Sequence, residues 1–314
     1  MAHIAATRDG FGSEIVELGK SNNKILVLSA DLEDATRAEF FRDAYPNRFF
    51  TVGIAEQDLV GTAAGLSMAG YIPFIASFAV FLTNRAYDML RLDVCYNECN
   101  VKIVCSHYGV TVGEDGATAQ CLEDLAILRV LPNMKVLCPA DVIEARKATR
   151  LMAETPGPIY MRTSRAPFPI ITKESDPFIL GKANILRGGK DATVIACGGL
   201  VSEALNAADD LIQEGIDIRV VNMHTIKPID AAMIEKCVSE TGAIVTAEEH
   251  QRAGGLGSAV AEVAAQKCPV PMEIIAVDDQ FGQSGSPEEL LRHYHLKSPD
   301  IIAAVKRVIA RKVK

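Results

Sequence analysis

Glu56 lies in FFTVGIAEQDLVGTAAGLSMAG, just after an apolar strand-like run and at the start of an apolar helix. Burial there disfavours the charged carboxylate, so the expectation is a raised pKa and a group able to hold or donate a proton near neutrality. The plainer alternative is a helix-start acid answering the dipole. A second candidate is SHYGVTVGEDGATAQ, Ser106 to Gln120, which follows the strand-like VKIVC and carries His107, Glu114 and Asp115 among glycines. Glycines let backbone approach a ligand, and histidine and aspartate at a strand's carboxyl end suit acid–base work on a hydroxyl or carbonyl. An ordinary loop with a solvent-facing histidine is the competing reading. Neither GxGxxG nor a P-loop occurs, so a nucleotide is not indicated. Phe78 and Phe81, three apart in ASFAVFLTNRAYD, share a helical face that is more often core than a ring-stacking site. Arg8 in ATRD and Arg165 in TSRAP could grip phosphate or carboxylate bidentately, although single surface arginines are common.

The elements that must position these groups alternate. Apolar strand-like runs (KILVLSA, YIPFIAS, VKIVCSHYG, MKVLCPA, PIYMRTS) are each separated by longer amphipathic stretches, and a second block repeats the pattern from ATVIACG through MEIIAVDD. This predicts an α/β protein of two domains, each with a parallel or mostly parallel sheet and helices on both faces. A proline-, glycine- and charge-rich tract interrupts the pattern, giving a first domain over 1–168, a linker over 169–190 and a second domain over 191–314. Glycine-marked strand-to-helix turns, CGGLVSEA and HQRAGGLGSA, face one way, and ligands of open parallel sheets usually sit beyond the carboxyl ends of the strands.

With 49% hydrophobic residues, and 32 basic against 40 acidic side chains, the composition excludes disorder, collagen and a nucleic-acid-coating protein. The uncharged stretch from Leu59 to Asn84 is long enough to span a bilayer, but Gly65, Gly70 and Pro73 interrupt it. It reads instead as a helix (Leu59 to Met68), a turn at Ala69-Gly70 and a buried strand (Ile72 to Ala76). Eight cysteines without a CxxC pair, and an amino terminus without a basic stretch and apolar core, predict reduced thiols and a cytoplasmic protein with no metal site of its own.

Four ordered motifs occur together: IAEQ at Ile54 to Gln57, SHYGVTVGEDG at Ser106 to Gly116, LEDLAILRVLPNMKVLCPAD at Leu122 to Asp141, and RTSR at Arg162 to Arg165. The chain resembles the carboxyl-terminal half of a transketolase, from ATRD near its start to TAEEHQRAGGLGSAVAE near its end. The resemblance implies a pyrimidine-binding domain followed by the smaller transketolase C-terminal domain. It also implies roles. Glu56 would hydrogen-bond the aminopyrimidine ring of thiamine diphosphate and act in catalysis, Phe78 and Phe81 would line that ring's pocket, and Asp31 in SADLEDATR would lie near the cofactor. His107 and Asp115 would contact ketose hydroxyls, His107 also acting in catalysis, while Arg8 and Arg165 would hold the substrate phosphate. Ala35 and Ala119 depart from the pattern at places where many members carry a hydrogen-bonding side chain, so the sugar and its phosphorylation are left open.

The family holds the diphosphate through a divalent metal, Mg2+ or Ca2+, bound by a GDG motif and a later asparagine; this chain has no GDG, only GEDG at Gly113. The implied arrangement is a split transketolase. An N-terminal subunit would supply the metal and diphosphate site, an α2β2 heterotetramer would form, and the apolar stretch from Leu59 to Leu82 would serve partly as interface. The expected reaction is transfer of a two-carbon ketol unit from a ketose donor to an aldose acceptor. Rival readings are a β-type subunit acting on 2-keto acids, a deoxyxylulose-phosphate synthase and a non-catalytic binding subunit.

Overall fold

The computed structural model describes residues 3–312. A seven-stranded sheet runs in the order Thr225–Lys227, Lys135–Leu137, Ile159–Thr163, Lys102–Ser106, Ile72–Phe78, Ile25–Ser29, Phe49–Thr51. Every neighbouring pair is parallel except Thr225–Lys227 against Lys135–Leu137. A five-stranded sheet runs Met272–Val277, Ile244–Gln251, Ala192–Ala196, Ile218–Asn222, Asn184–Arg187, parallel but for its Asn184–Arg187 edge. The α/β class with mostly parallel sheets is as the alternation predicts.

The strands are apolar on both sides because helices cover both sides. In Ile25–Ser29, Ile25 and Val27 enter one core with Phe11 and Ile15 of the helix Thr7–Ser21 and Ala148 and Met152 of the helix Val142–Glu154. Leu26 and Leu28 enter the opposite core with Leu59, Val60 and Ala63 of the helix Glu56–Met68. That second core continues without interruption into the other domain through Ile195, Val221, Ile244 and Val260. The far side of the smaller sheet is closed by the helices Leu200–Gln213 and Ser298–Ala310.

Residues 169–190 carry more order than a connecting tract requires. Asp141 caps the helix Val142–Glu154 by accepting from the Glu144 amide, and its other oxygen accepts from the amides of Ile171 and Thr172. Asn184–Arg187 then forms the edge of the second sheet. The stretch from Leu59 to Leu82 is mostly core of this chain: Leu59, Val60, Ala63, Phe74, Ile75, Ala76, Ala79 and Leu82 are all fully buried. Its outward positions are Gly61, Thr62 and Gly65 on the helix, and Met68, Ala69, Gly70 and Tyr71 at the helix end and turn. No helix among the described residues is long and apolar enough to cross a membrane.

Candidate active site

Register brings the candidate residues to one edge. Phe78 ends its strand opposite Ser106, and Ser106 lies opposite Thr163, so the chain leaves all three strands at the same level. The strand of Phe78 passes directly into the helix Ala79–Arg85, placing Phe81 in its first turn. Ser106 passes into His107, whose φ of 63° is left-handed, a sparsely populated region for a side chain other than glycine. The Phe78 ring stacks on the His107 ring at 3.6 Å between centroids, and Phe81 stacks on Phe78 at 5.5 Å.

Glu56 is the first residue of its helix and is 1% exposed. One carboxylate oxygen, Oε2, accepts from Arg85 Nη1 at 2.8 Å. Arg85 itself is 53% exposed and lies 5.6 Å over the Phe81 ring. Glu56 is thus buried at the start of its helix, as the sequence reading has it, with a cation at its side that the reading does not include. The other oxygen, Oε1, is buried with no hydrogen-bond partner. A buried acceptor left without a donor costs about 1–3 kcal/mol, so such groups are uncommon in native folds and call for a reason.

His107 is buried, and its Nδ1 lies 2.8 Å from Ser106 Oγ. Burial first, then the positive charges of Arg8 and Arg165, lower its pKa to about 3. Near neutrality the ring is therefore an uncharged hydrogen-bonding group rather than a cationic acid. A two-stranded antiparallel sheet, Ile4–Ala6 with Pro167–Pro169, is flanked by Arg8, at the start of the helix Thr7–Ser21, and by Arg165. Reciprocal bonds between Thr7 and Ser164, from the Thr7 amide to Ser164 Oγ at 3.0 Å and from the Ser164 amide to Thr7 Oγ1 at 2.6 Å, lock that junction. Arg8 donates to the Ala35 carbonyl at 2.7 Å, while its Nε is buried without a partner. Its pKa is lowered, first by burial and then by Arg37, with Arg165 adding to the effect. Arg165 donates to the Val112 carbonyl at 2.6 Å and to Glu114 at 3.0 Å. Crowded guanidiniums with a spare donor form a site that an anion would relieve.

The structure thus stacks Phe78, Phe81 and His107 and joins Glu56 to them through Arg85, with Arg8 and Arg165 bearing electrostatically on His107. Asp31 and Asp115 stay outside that group and are exposed; Asp31, with a φ of 62°, follows the strand Ile25–Ser29 in the same way that His107 follows Ser106. Two contributors escape the sequence reading. Arg85 lies 29 residues from Glu56, so only the shared helix face with Phe81 hints at it. Ser106 reads from sequence as a strand end.

Comparison with known proteins agrees with this layout. Residues 4–169 match the transketolase pyrimidine-binding domain and residues 181–301 the transketolase C-terminal domain. A putative transketolase C-terminal section from Methanocaldococcus jannaschii is 44% identical over 297 residues, covering 94% of this chain and 93% of that protein. The 6-deoxy-6-sulfo-D-fructose transketolase subunit of a Clostridium species is 40% identical, covering 97% and 95%. A solved structure described as a split gene transketolase, an inactive β4 tetramer, superposes with a TM-score of 0.92 at 45% identity, covering 98% of this chain and 99% of its own. With both domains matched in order and relatives of 40% identity or more covered almost end to end, the chain belongs to the transketolase family.

Proposed function

We propose that this chain is the C-terminal, β-type subunit of a split transketolase and moves a two-carbon ketol unit from a ketose to an aldose with thiamine diphosphate. The observation that carries the reading is the buried Oε1 of Glu56, unpartnered among the described residues and linked through Arg85 to the Phe78–Phe81 aromatic pair. A flat heteroaromatic ring with a proton-sharing nitrogen fits that combination: stacking area on one side, a dry acceptor on another. The diphosphate is the part these residues do not fit. Among the described residues no cluster of three or more His, Cys, Asp or Glu side chains is arranged to hold a metal ion. We assign the metal, Mg2+ or Ca2+, and its ligands to an N-terminal subunit with a GDG motif, in an α2β2 assembly in the cytoplasm. The names of the relatives, a C-terminal section, a subunit and a split gene product, support that division.

When bound, thiamine diphosphate would supply an electron sink for the transferred fragment. Glu56 shares a proton with a pyrimidine nitrogen through Oε1, while Arg85 fixes Oε2 and prevents the carboxylate from turning. Phe78 and Phe81 would line the pocket of the pyrimidine ring, and Asp31 would lie near the cofactor. His107, uncharged and oriented through Ser106, hydrogen-bonds the sugar's oxygens, with Asp115 contacting a further hydroxyl. Arg8 and Arg165 hold an anionic substituent at the far end of the sugar. The 6-sulfo sugar in the name of one relative is an anion of the same kind.

The test is co-purification with the N-terminal subunit in the presence of thiamine diphosphate and Mg2+, followed by assay of ketol transfer and of pyruvate decarboxylation. Ketol transfer that requires both polypeptides is expected. Pyruvate decarboxylation without ketol transfer would overturn the reading in favour of a 2-keto acid enzyme.

A further inference from the structure

The loop that follows His107 is gripped from the other domain. Glu249, on the strand Ile244–Gln251, is 2% exposed and extends its side chain across the domain junction. Its Oε1 accepts from the Thr111 amide at 2.5 Å. Gly109 makes room for it: a Cβ built at Gly109 would lie 2.2 Å from Glu249 Oε1, and its φ of 74° is one that glycine adopts without strain. One residue beyond Thr111, the Val112 carbonyl accepts from Arg165 at 2.6 Å. The Thr111–Val112 segment is therefore tied on opposite backbone groups, its N–H to an acid of the second domain and its C=O to a proposed substrate arginine. The base of the clamp is rigid. The Glu249 carbonyl accepts from Arg162 Nη2 at 3.0 Å, and the Arg162 guanidinium lies 3.7 Å over the Tyr108 ring and 3.2 Å from Asp124. The far end of the loop is held separately, by Gln120 donating to the carbonyls of Val110 at 3.1 Å and Gln283 at 3.0 Å.

We propose that Glu249 is a positioning residue for the sugar-binding loop, fixing the Thr111 amide so that His107 at the loop's start and Arg165 against its middle keep their spacing. By this route a domain with no assigned residue at the reacting atoms still sets how the sugar is held. The proposal rests on the ketol-transfer reading for its catalytic meaning, but the clamp itself is a property of the isolated chain.

Two readouts test it. The first is amide hydrogen exchange on the full chain alone. Glu249→Ala is expected to speed exchange at Thr111 by about tenfold or more, with the amides of Ile103 and Val104 in the adjoining strand unchanged, and Glu249→Gln, which keeps an acceptor oxygen, to stay near wild type. The second is kinetics with the N-terminal subunit, in which Glu249→Ala should raise KM for the sugar about tenfold with a smaller change in kcat, and Glu249→Gln should restore it. If Glu249→Ala fails to fold, Glu249→Asp, which withdraws the carboxylate by one carbon, is expected to loosen Thr111 in the same way. Unchanged exchange at Thr111 in the Ala or Asp variant overturns the clamp. Faster exchange with unaltered KM overturns the positioning role. Should the wild-type pair show no ketol transfer, the functional reading fails while exchange still decides the clamp.

Discussion

Glu56 and Glu248 are the same device used to different ends. Each is a buried acid, one in either domain: Glu56 opens a helix, and Glu248, on the strand Ile244–Gln251, reaches the start of the helix that follows. Glu248 is closed by its own chain: Oε2 accepts from the Leu256 amide and Oε1 from the Gly257 amide, each at 2.7 Å, at the start of the helix Leu256–Lys267. Burial pushes its pKa up, opposed by His250 and by those two amides. Glu56 has one oxygen on Arg85 and one on nothing. Two acids of equal burial are thus separated by a single missing donor. The filled one completes a helix terminus, and the open one is the atom that the proposed reading gives to the cofactor.

Substitution should pull the pair apart. Glu56→Gln is expected to cut ketol transfer by roughly 100- to 10,000-fold, the range for loss of a proton-transferring side chain. Chromatographic assembly with the N-terminal subunit should be unaltered. Turnover close to wild type would remove Glu56 from the chemistry. Glu248→Ala should do the opposite. Stripping two buried amides of their acceptor costs about 1–3 kcal/mol each, read as a lower urea midpoint, with activity tracking only the folded fraction. Next in size, Arg8→Ala should raise KM about 10- to 100-fold for a phosphorylated or sulfonated sugar, the value of a hydrogen bond to a charged group, and leave uncharged sugars unaffected, while Arg165→Ala, which also frees the Val112 carbonyl, should add a smaller rise for uncharged sugars. Equal losses on both sugar types would show that the arginines shape the loop rather than hold the anion.

The smallest effect concerns pH and a third buried acid. Glu144 accepts from the Ala140 amide at 2.9 Å and from Asn222 at 2.8 Å, and burial raises its pKa to about 7 from an ordinary 4.5. In the folded protein it keeps its proton up to about pH 7, whereas the unfolded chain releases it near 4.5, so the folded state binds more protons between those values. Its contribution to stability is full below 4.5 and is lost as pH rises through about 7. Glu144→Gln should therefore flatten the decline of the urea midpoint across that window. An unchanged slope would mean that Glu144 is ionised in the fold.

Much of this was legible in the chain. Strands apolar on both faces, such as KILVLSA and VKIVCSHYG, separated by amphipathic stretches leave little besides a parallel sheet covered on two sides. His107 just after VKIVC and Glu56 just after a strand-like run are candidates because ligands of such sheets collect at strand ends, whereas Phe78 stands out only by its spacing to Phe81 and by the family resemblance. The aromatic pair shows the limit of spacing: a separation of three suggests one helical face, yet Phe78 ends the strand Ile72–Phe78 and only Phe81 lies on the helix, while the rings still stack on one another and Phe78 also faces His107. Arg85 and Glu249 were not legible because each acts on a group 29 or 138 residues away, through a register that no local pattern encodes. The positive φ of His107 is likewise imposed by the packed strand end, since nothing in the sequence CSHYG demands it.

The three-residue segment Thr225–Lys227 lies, in sequence, within the second domain, yet it completes the edge of the first domain's sheet against Lys135–Leu137. Neither half can be released whole. A chain cut between residues 170 and 180 would leave the first fragment with a bare β-edge open to self-association, and would leave the second with a short strand that has no sheet to join. The two halves should therefore melt as one cooperative unit, so that a ligand binding at either one raises the melting temperature of both.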